Sequence, residues 1–410
     1  MTSLISMVPL AVDPLLLGPI DLVEVLGVLL KVVLAFALLM VSVMLMIWFE
    51  RKLHADMTNR MGPTITGPFG LLQTLADGIK LFFKEDLLPN EDRGDSLVFR
   101  LAPYLTLIPA FLIFTVVPIG GDFDNADGTI SWLGGTTHLQ VADPPVGILL
   151  VLAFSSLAVY GIMLAGWSSG SKYPLFGSVR ASAQMVSYEA ALGLSLVAVL
   201  IKSGSLSTHE IVAGQADGWN WNLWITGFIP FIVFLIASTA ELNRPPFDLV
   251  EAEQEIVGGF HTEYSSIRFA LFFLGEYMNV ITMSAIMVTL FFGGPDGPIP
   301  FLQSIGWAWG ILWFLVKVIA FCFTFIWFRA ALPRFRYDQL MDLGWKLLIP
   351  LSLGWLVALA ALDIASDSSN GWNRFVVAGI CFVGLMLMGF LLNAAIQSGK
   401  RKRLAGEGFD

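Results

Sequence analysis

The ionisable side chains of this sequence are densest in residues 241–268, which read ELNRPPFDLVEAEQEIVGGFHTEYSSIR. Crowded carboxylates raise one another's pKa, because neighbouring like charges disfavour ionisation. An interacting cluster can therefore take up or release a proton when a nearby charge changes. This pattern predicts proton or charge exchange. The acids of the segment are Glu241, Asp248, Glu251, Glu253, Glu255 and Glu263, and its arginines are Arg244 and Arg268.

The competing interpretation of this segment is a solvated acidic loop. Apolar residues such as Phe247, Leu249 and Tyr264 interleave the acids, and a loop that faced only water would not need them. Pro245 and Pro246 exclude a helix at that point and fix an extended turn. The pattern favours a packed loop over a solvated one.

Three further ionisable residues fall inside long apolar runs: Glu189, Glu276 (which precedes Tyr277) and Lys317. A charge in hydrocarbon costs roughly 2.5–3.5 kcal/mol on insertion scales, so such a group is normally buried against partners or water. We interpret Glu189 and Glu276 as parts of a polar pathway rather than of a purely structural ion bridge. For Lys317 both interpretations stay open.

The composition decides which elements can position these groups. Of 410 residues, 56% are hydrophobic and only 13% are charged, and the mean hydropathy is +0.75. Soluble domains carry roughly 25% charged residues, so a water-soluble fold could not cover itself with this composition. Because the apolar runs are continuous rather than alternating, we predict an all-α polytopic membrane protein.

Cysteine and histidine usage argues against a redox centre or a metal site in this chain. Cys322 and Cys381 are too few for the four thiolates that an iron–sulfur cluster usually needs. The histidines all fall between the apolar runs, so no haem is expected between them, and no two have metal-ligand spacing. The net charge of −9 offers no basic surface for nucleic acid. The four histidines are His54, His138, His209 and His261.

About nine apolar segments are long enough to cross a membrane, which takes about 20 residues. We predict a single membrane domain over residues 1–410. Residues 1–22 contain no Lys or Arg and are interrupted by prolines, which predicts an N-terminal arm rather than a signal peptide. The candidate spans are 23–49, 99–119, 146–167, 183–201, 222–240, 267–292, 305–328, 345–362 and 374–396.

The distribution of positive charge predicts the orientation of the bundle. Nineteen of the 23 Lys and Arg residues fall in segments on one side of such a bundle, and two fall in loops on the other. Since cytoplasmic loops are enriched in Lys and Arg, we predict an outside N-terminus and a cytoplasmic C-terminus, which requires an odd number of spans. The basic segments are 50–100, 168–188, 241–268, 329–346 and 400–403.

Residues 69–84, FGLLQTLADGIKLFFK, predict one amphipathic helix that is too short and too charged to span. Gln73, Asp77, Lys80 and Lys84 share one face, and the opposite face is apolar. One interpretation is a helix lying in the membrane interface. The other is a helix packed beneath the bundle with its polar stripe toward an internal cavity.

Two long stretches resemble a known family. Residues 50–86, ERKLHADMTNRMGPTITGPFGLLQTLADGIKLFFKED, and residues 240–280, AELNRPPFDLVEAEQEIVGGFHTEYSSIRFALFFLGEYMNV, together with SYE at 187–189, are similar to the H-subunit family of bacterial NADH:quinone oxidoreductase, respiratory complex I. The resemblance covers about residues 20–362. It implies an eight-helix core over 23–362, with 363–410 as an extra C-terminal helix and basic tail in which the chain departs from the family.

The resemblance also implies a function. Such a protein forms much of the quinone-binding chamber of a proton-pumping translocase and couples quinone reduction to proton translocation, without a redox centre of its own. Quinone, either ubiquinone or menaquinone, would be the substrate, while FMN and iron–sulfur clusters would be in partner subunits. The partners would be the hydrophilic-arm, small membrane and antiporter-like subunits and membrane lipid, and the location would be the bacterial inner membrane.

Residue roles follow from the same resemblance. It implies no catalytic residue in the strict sense and no metal ligand. The quinone-chamber set would be Arg51, Arg60, Asp77, Lys80, Lys84, Glu241, Arg244, Phe247, Asp248, Glu251, Glu253 and Glu255. The proton-path set would be Glu189, Glu263, Glu276 and Tyr277.

Two other functions remain as alternatives from the sequence. The nearer one is the homologous component of a membrane-bound hydrogenase or of another reduced-cofactor dehydrogenase, which would differ in electron donor. The more distant one is a stand-alone cation transporter. Transporters often contain two similar halves, and the sequence offers no convincing internal repeat.

The charge distribution generates a topology prediction. A reporter fused after residue 403 should read cytoplasmic, and a reporter inserted in 120–145 should read periplasmic, because an odd number of spans separates the outside N-terminus from the basic tail. Paired alkaline phosphatase and fluorescent protein fusions measure both sides. The same side for both insertions would contradict the nine-span count.

Overall fold

A computed structural model describes residues 22–89, 94–121, 123, 128–132, 135–216, 220–249, 257–297 and 307–366, with scattered residues between 379 and 397. Within these residues the chain is almost entirely helical, which confirms the predicted class. The strands β1 (Thr129–Trp132) and β2 (Gly135–His138) form a two-stranded antiparallel hairpin, with Thr129 opposite His138. The helices are α1 Leu22–Met57, α2 Gln73–Phe83, α3 Ser96–Phe114, α4 Gly147–Ser168, α5 Lys172–Ser203, α6 Thr208–Ala213, α7 Asn222–Ile225, α8 Phe228–Glu241, α9 Ser266–Phe291, α10 Trp307–Ala331, α11 Tyr337–Leu343 and α12 Ile349–Ser366.

Seven helical segments of the described residues are long and apolar enough to cross a membrane. They match seven of the nine predicted spans, and α11 and α12 form one of them through a π-helical turn at Gly344–Leu348. The predicted span 222–240 is divided into α7 and the shorter apolar helix α8. The predicted span 374–396 lies largely outside the described residues.

Two helices are longer than the apolar runs that predict them. α1 continues past residue 49 to Met57, and α5 begins at Lys172 rather than at 183. Residues 50–57 and 172–182, which the sequence predicts outside the spans, are therefore helical, and His54 belongs to the last turn of α1. Polar residues lower the local hydropathy without breaking the backbone hydrogen-bond ladder, so a hydropathy window ends before the helix does.

The predicted amphipathic helix is confirmed for residues 73–83 only. Its first part is a 3₁₀ turn at Pro68–Gly70, where Phe69 has a φ of 56° and Gly70 a φ of 79°. A continuous helix cannot pass through residues in the left-handed region. α2 packs against α1 and α9.

α9 is the central helix of the bundle. From Met278 to Phe291 nearly every residue is buried, and α9 packs against α1, α3 and α10. α5 forms a second axis, because it packs against α4, α8 and α12. At the junction of α5 and α11, the Tyr188 hydroxyl donates to the Leu340 carbonyl at 2.9 Å and its ring lies beside Gly344.

Lys317 of α10 closes the end of α9. Its Nζ donates to the carbonyls of Phe292 at 2.6 Å and Gly294 at 2.9 Å and also to that of Asp296. The last carbonyls of a helix have no partner within the helix, and an ammonium group compensates the negative end of the dipole. These contacts favour the structural interpretation of Lys317.

The 3₁₀ turn Gly259–His261 is held against α5 by a glycine-to-glycine contact. A Cβ atom on Gly177 would lie 2.8 Å from Gly259 Cα, and Gly259 itself has a φ of 59°. Both positions therefore require the absence of a side chain. This contact fixes the wall of the cavity described below.

Gly177→Ala should destabilise the chain by about 1–3 kcal/mol, because the added methyl group would push Gly259 away. Thermal unfolding of the detergent-purified assembly measures the loss. Gly193→Ala is the matched control in the same helix, since a Cβ atom there meets open space. Equal stability of the two variants would contradict the close approach.

Candidate functional site

Arg244 lies at the centre of a buried group of charges. The residue is only 7% exposed. Its Nη1 is 3.1 and 3.2 Å from the two carboxylate oxygens of Glu50, and its Nε is 2.9 Å from Glu276 Oε1. The guanidinium also lies 4.4 Å from the ring centroid of Tyr277. Burial alone would lower the pKa of Arg244, but Glu276 and Glu50 together hold it above the usual arginine value, so the group stays charged.

Arg329 extends this group by one further ion pair with Glu50. The charges then alternate in the order Arg329, Glu50, Arg244, Glu276, and we call these four residues the charge chain. Removing charges from water is costly unless each is paired, so the alternation is what allows the group to be buried. The charge chain joins α1, α9, α10 and the loop after α8.

The loop after α8 is held by backbone and amide hydrogen bonds. The Arg244 N–H donates to the Thr239 carbonyl at 3.3 Å, and a cis peptide bond joins Pro245 to Pro246. The Gln184 amide of α5 donates to the carbonyls of Ala240 at 2.8 Å and Phe247 at 3.0 Å. These bonds fix the loop on α5 and direct the guanidinium toward α1 and α9.

A cavity of about 50 Å³ lies next to the charge chain. Glu276 and Glu241 both line it, together with Asn243, Asn279 and His261. The Oε2 atom of Glu241 is buried without a hydrogen-bond partner among the described residues. A cavity needs about 10–15 Å³ to hold one water molecule, and such water requires polar partners. The volume and the polar lining therefore suit ordered water between the two carboxylates.

Glu241 lies between the cavity, which it lines, and Glu189. The two carboxylates lie within electrostatic range of each other, and the Ser155 hydroxyl faces Glu241. The Ser156 hydroxyl donates to Glu189 Oε1. The polar groups thus run from the charge chain through the cavity and Glu241 to Glu189 on α5.

A second charged group lies at the other side of the charge chain. Arg51, which follows Glu50 in α1, has its Nη1 2.6 Å from Asp77 Oδ2, and Lys80 Nζ is 3.7 Å from Asp77 Oδ1. Burial would raise the pKa of Asp77, but the hydrogen bond and charge of Arg51 outweigh it and hold that pKa below the usual value. Asp77 therefore stays ionised and ties the polar face of α2 to α1. The apolar side chains that α2 and the residue before it leave exposed are Leu72, Leu75, Ile79, Phe82 and Phe83.

The remaining predicted site residues are dispersed. Phe247 is buried in the core and stacks on Phe335 at 5.4 Å, and Asp248 pairs with Arg334 at 2.9 Å. Three others are exposed and form no ion pair with the described residues: Arg60, Lys84 and Glu263. The predicted residues Glu251, Glu253 and Glu255 lie outside the described residues.

Sequence reasoning missed Glu50, Arg329 and His261. Glu50 carried a signal, because an acid beside Arg51 and Lys52 is unusual where a span ends on the basic side. Arg329 carried none, since an arginine at that end of a span is expected. Among the described residues, no three His, Cys, Asp or Glu side chains are grouped to hold a metal ion.

Glu50→Gln should be strongly destabilising, because Arg244 and Arg329 would lose the carboxylate that they share. Loss of one partner from a buried ion pair costs about 3–5 kcal/mol. The yield and thermal stability of the assembled complex report the effect, with the exposed Glu263→Gln as control. Adding Arg329→Met to Glu50→Gln should recover part of the loss. Wild-type stability of Glu50→Gln would disprove the pairing.

Comparison with known proteins gives a consistent assignment. The sequence profile of the family described as NADH dehydrogenase matches residues 30–360. The H subunit of the NADH-quinone oxidoreductase of Streptomyces avermitilis is 49% identical over 386 residues, covering 93% of this chain and 83% of the relative. The proteins of the same name from Frankia casuarinae and Cutibacterium acnes are 48% and 44% identical over 368 and 383 residues, covering 89% of this chain and 79% and 84% of the relatives. The chain belongs to the NADH dehydrogenase family.

Proposed function

We propose that this chain is the H subunit of a bacterial proton-translocating NADH:quinone oxidoreductase, and that its buried charges couple quinone reduction to proton movement. The observation that carries the proposal is the continuous polar route from Arg329 through Glu50, Arg244 and Glu276 to the cavity, and from there to Glu241 and Glu189. The names of the relatives supply the reaction, and the seven candidate spans suit a multi-pass protein of the bacterial inner membrane.

The group of Arg51, Asp77 and Lys80 would be the end of the route nearest the quinone. α2 leaves its apolar side chains exposed and pairs Asp77 with Arg51 of α1, a combination that suits an apolar isoprenoid tail with a polar headgroup. Reduction of a quinone brings negative charge and a demand for protons to its oxygen atoms. Electrons would come from iron–sulfur clusters and FMN in partner subunits, because the two cysteines here cannot hold a cluster.

The charge chain would convert that local change into a proton shift. Arg244 pairs with Glu50 on one side and Glu276 on the other, so a change in the charge near Glu50 alters how strongly Arg244 stabilises the Glu276 carboxylate. When two carboxylates share a small polar cavity, their protonation is coupled. A proton would then pass between Glu276 and Glu241 through water and continue to Glu189. The antiporter-like subunits would lie beyond Glu189.

Glu276→Gln and Glu241→Gln test the proposal. Each change keeps the size of the side chain but removes its titration, so both quinone reduction and proton pumping should fall together by about tenfold, equivalent to ~1.4 kcal/mol in the barrier. Inverted membrane vesicles with NADH, quinone and a pH-sensitive dye measure both rates. NADH oxidation by a hydrophilic artificial acceptor should stay at the wild-type rate, since it bypasses this chain.

Glu210→Gln is the matched control, because Glu210 is exposed and lies outside both the route and the predicted site residues. It should retain both activities. Full pumping and quinone turnover in the double variant Glu241→Gln, Glu276→Gln would overturn the proposed route.

A further inference from the structure

His261 occupies the wall of the cavity that separates Glu276 from Glu241. It is the last residue of the 3₁₀ turn Gly259–His261, and its imidazole lines the cavity. The rings of Phe260, Phe269 and Phe273 surround it, with centroids at 5.0, 5.4 and 6.4 Å. These rings hold the imidazole in one place and limit the water around it.

The Nε2 atom of the imidazole lies next to Gly258, which is partly exposed. A Cβ atom on Gly258 would lie 3.7 Å from His261 Nε2, and the neighbouring Val257 is 60% exposed in this chain. The ring therefore lies between the surface at Val257 and Gly258 and the interior cavity. Among the described residues, His261 supplies the one imidazole in the wall of this cavity.

The other side chains around the cavity restrict which groups can exchange protons with His261. Within the described part of the chain, the carboxylates are Glu241 of α8 and Glu276 of α9. α3, α4 and α5 contribute Thr106, Ala158, Ile162 and Met185, which do not titrate. A proton that His261 releases inward therefore goes to cavity water, Glu241 or Glu276.

Neutral imidazole has the chemistry for such a transfer, because one ring nitrogen donates a hydrogen bond while the other accepts one. Burial lowers the pKa of His261 to about 4, so the ring is neutral near pH 7 and its accepting nitrogen carries no proton. A proton taken up at one nitrogen is balanced by loss of the proton from the other. The ring returns to its starting state by exchanging tautomers, and one proton has crossed the wall.

We infer that His261 is the proton relay between the loop surface at Gly258 and the cavity that holds Glu241 and Glu276. The inference rests on the proposed function, since it supplies the protons that the route would carry. It assigns to His261 a chemical role beyond packing among three phenylalanines.

Two substitutions separate relay from packing. His261→Phe fills the aromatic surroundings but cannot carry a proton, and His261→Gln keeps polarity but does not titrate. If His261 is the relay, both variants should lower proton pumping and quinone reduction by about a hundredfold, the lower end of the range for lost acid–base groups. The assembled complex in inverted vesicles is the material for both assays.

The pH dependence and the solvent isotope effect give a readout that packing would not change. With the relay removed, proton delivery should limit turnover, so activity should decline more steeply as pH rises and the rate ratio in H₂O and D₂O should increase. An unchanged pH profile and isotope effect in both variants would overturn the inference.

Controls distinguish this inference from the proposed function. His209→Phe makes the same replacement in α6, outside the cavity lining, and should leave both activities unchanged.

Normal activity in His261→Phe or in His261→Gln, together with a loss of activity in Glu276→Gln, would refute the relay and leave the proposed route unaffected. Normal activity in the Glu276 and Glu241 variants as well would refute both. If His261→Phe does not assemble, His261→Gln decides the question alone.

Discussion

A guanidinium buried between two carboxylates is the constraint on which the rest of this structure depends. Arg244 can leave water only because Glu50 and Glu276 are both within ion-pair distance, and Glu50 is in turn shared with Arg329. These residues come from α1, α9, α10 and one loop, so the arrangement of three helices is tied to a single electrostatic requirement. A small displacement of any of the three would leave a charge unpaired in a poorly solvated place.

The packing around the charge chain serves the same requirement. α9 is buried along most of its second half, which leaves Glu276 and Tyr277 at the level where the cavity opens. The Gln184 amide binds the loop to α5, and the contact between Gly177 and Gly259 brings the 3₁₀ turn close enough for His261 to form part of the cavity wall. Residues that do not titrate, such as Gln184, Gly177 and Gly259, therefore determine which titratable side chains lie close together.

Much of this was open to prediction from the sequence, and the failures have physical reasons. Continuous apolar runs identified the seven long helices, and carboxylates in those runs predicted the polar pathway in which we propose roles for Glu189 and Glu276. Polar helix ends fell outside the predicted spans, since hydropathy does not register a hydrogen-bonded turn that carries charge. Glu50 was missed for that reason. No feature of the neighbouring sequence indicates that Arg329 pairs with Glu50. Nor does the sequence indicate that Glu263 is exposed while Glu241 is buried. Both outcomes depend on how helices distant in the chain pack together.

The separation of the paired charges along the chain has a consequence for biosynthesis. Arg244 follows Glu50 by 194 residues, and Arg329 follows it by 279. When α1 enters the membrane, the partners of Glu50 have not yet been made. Its carboxylate must therefore remain in contact with water, or be protonated, at least until Arg244 has been made, and its pair with Arg329 forms only after α10 is complete. The end of α1 cannot close against the bundle earlier, so consolidation of the native helix packing has to wait for the last third of the chain. Translation order thus imposes a late, cooperative closing step on a protein whose first helix is already inserted.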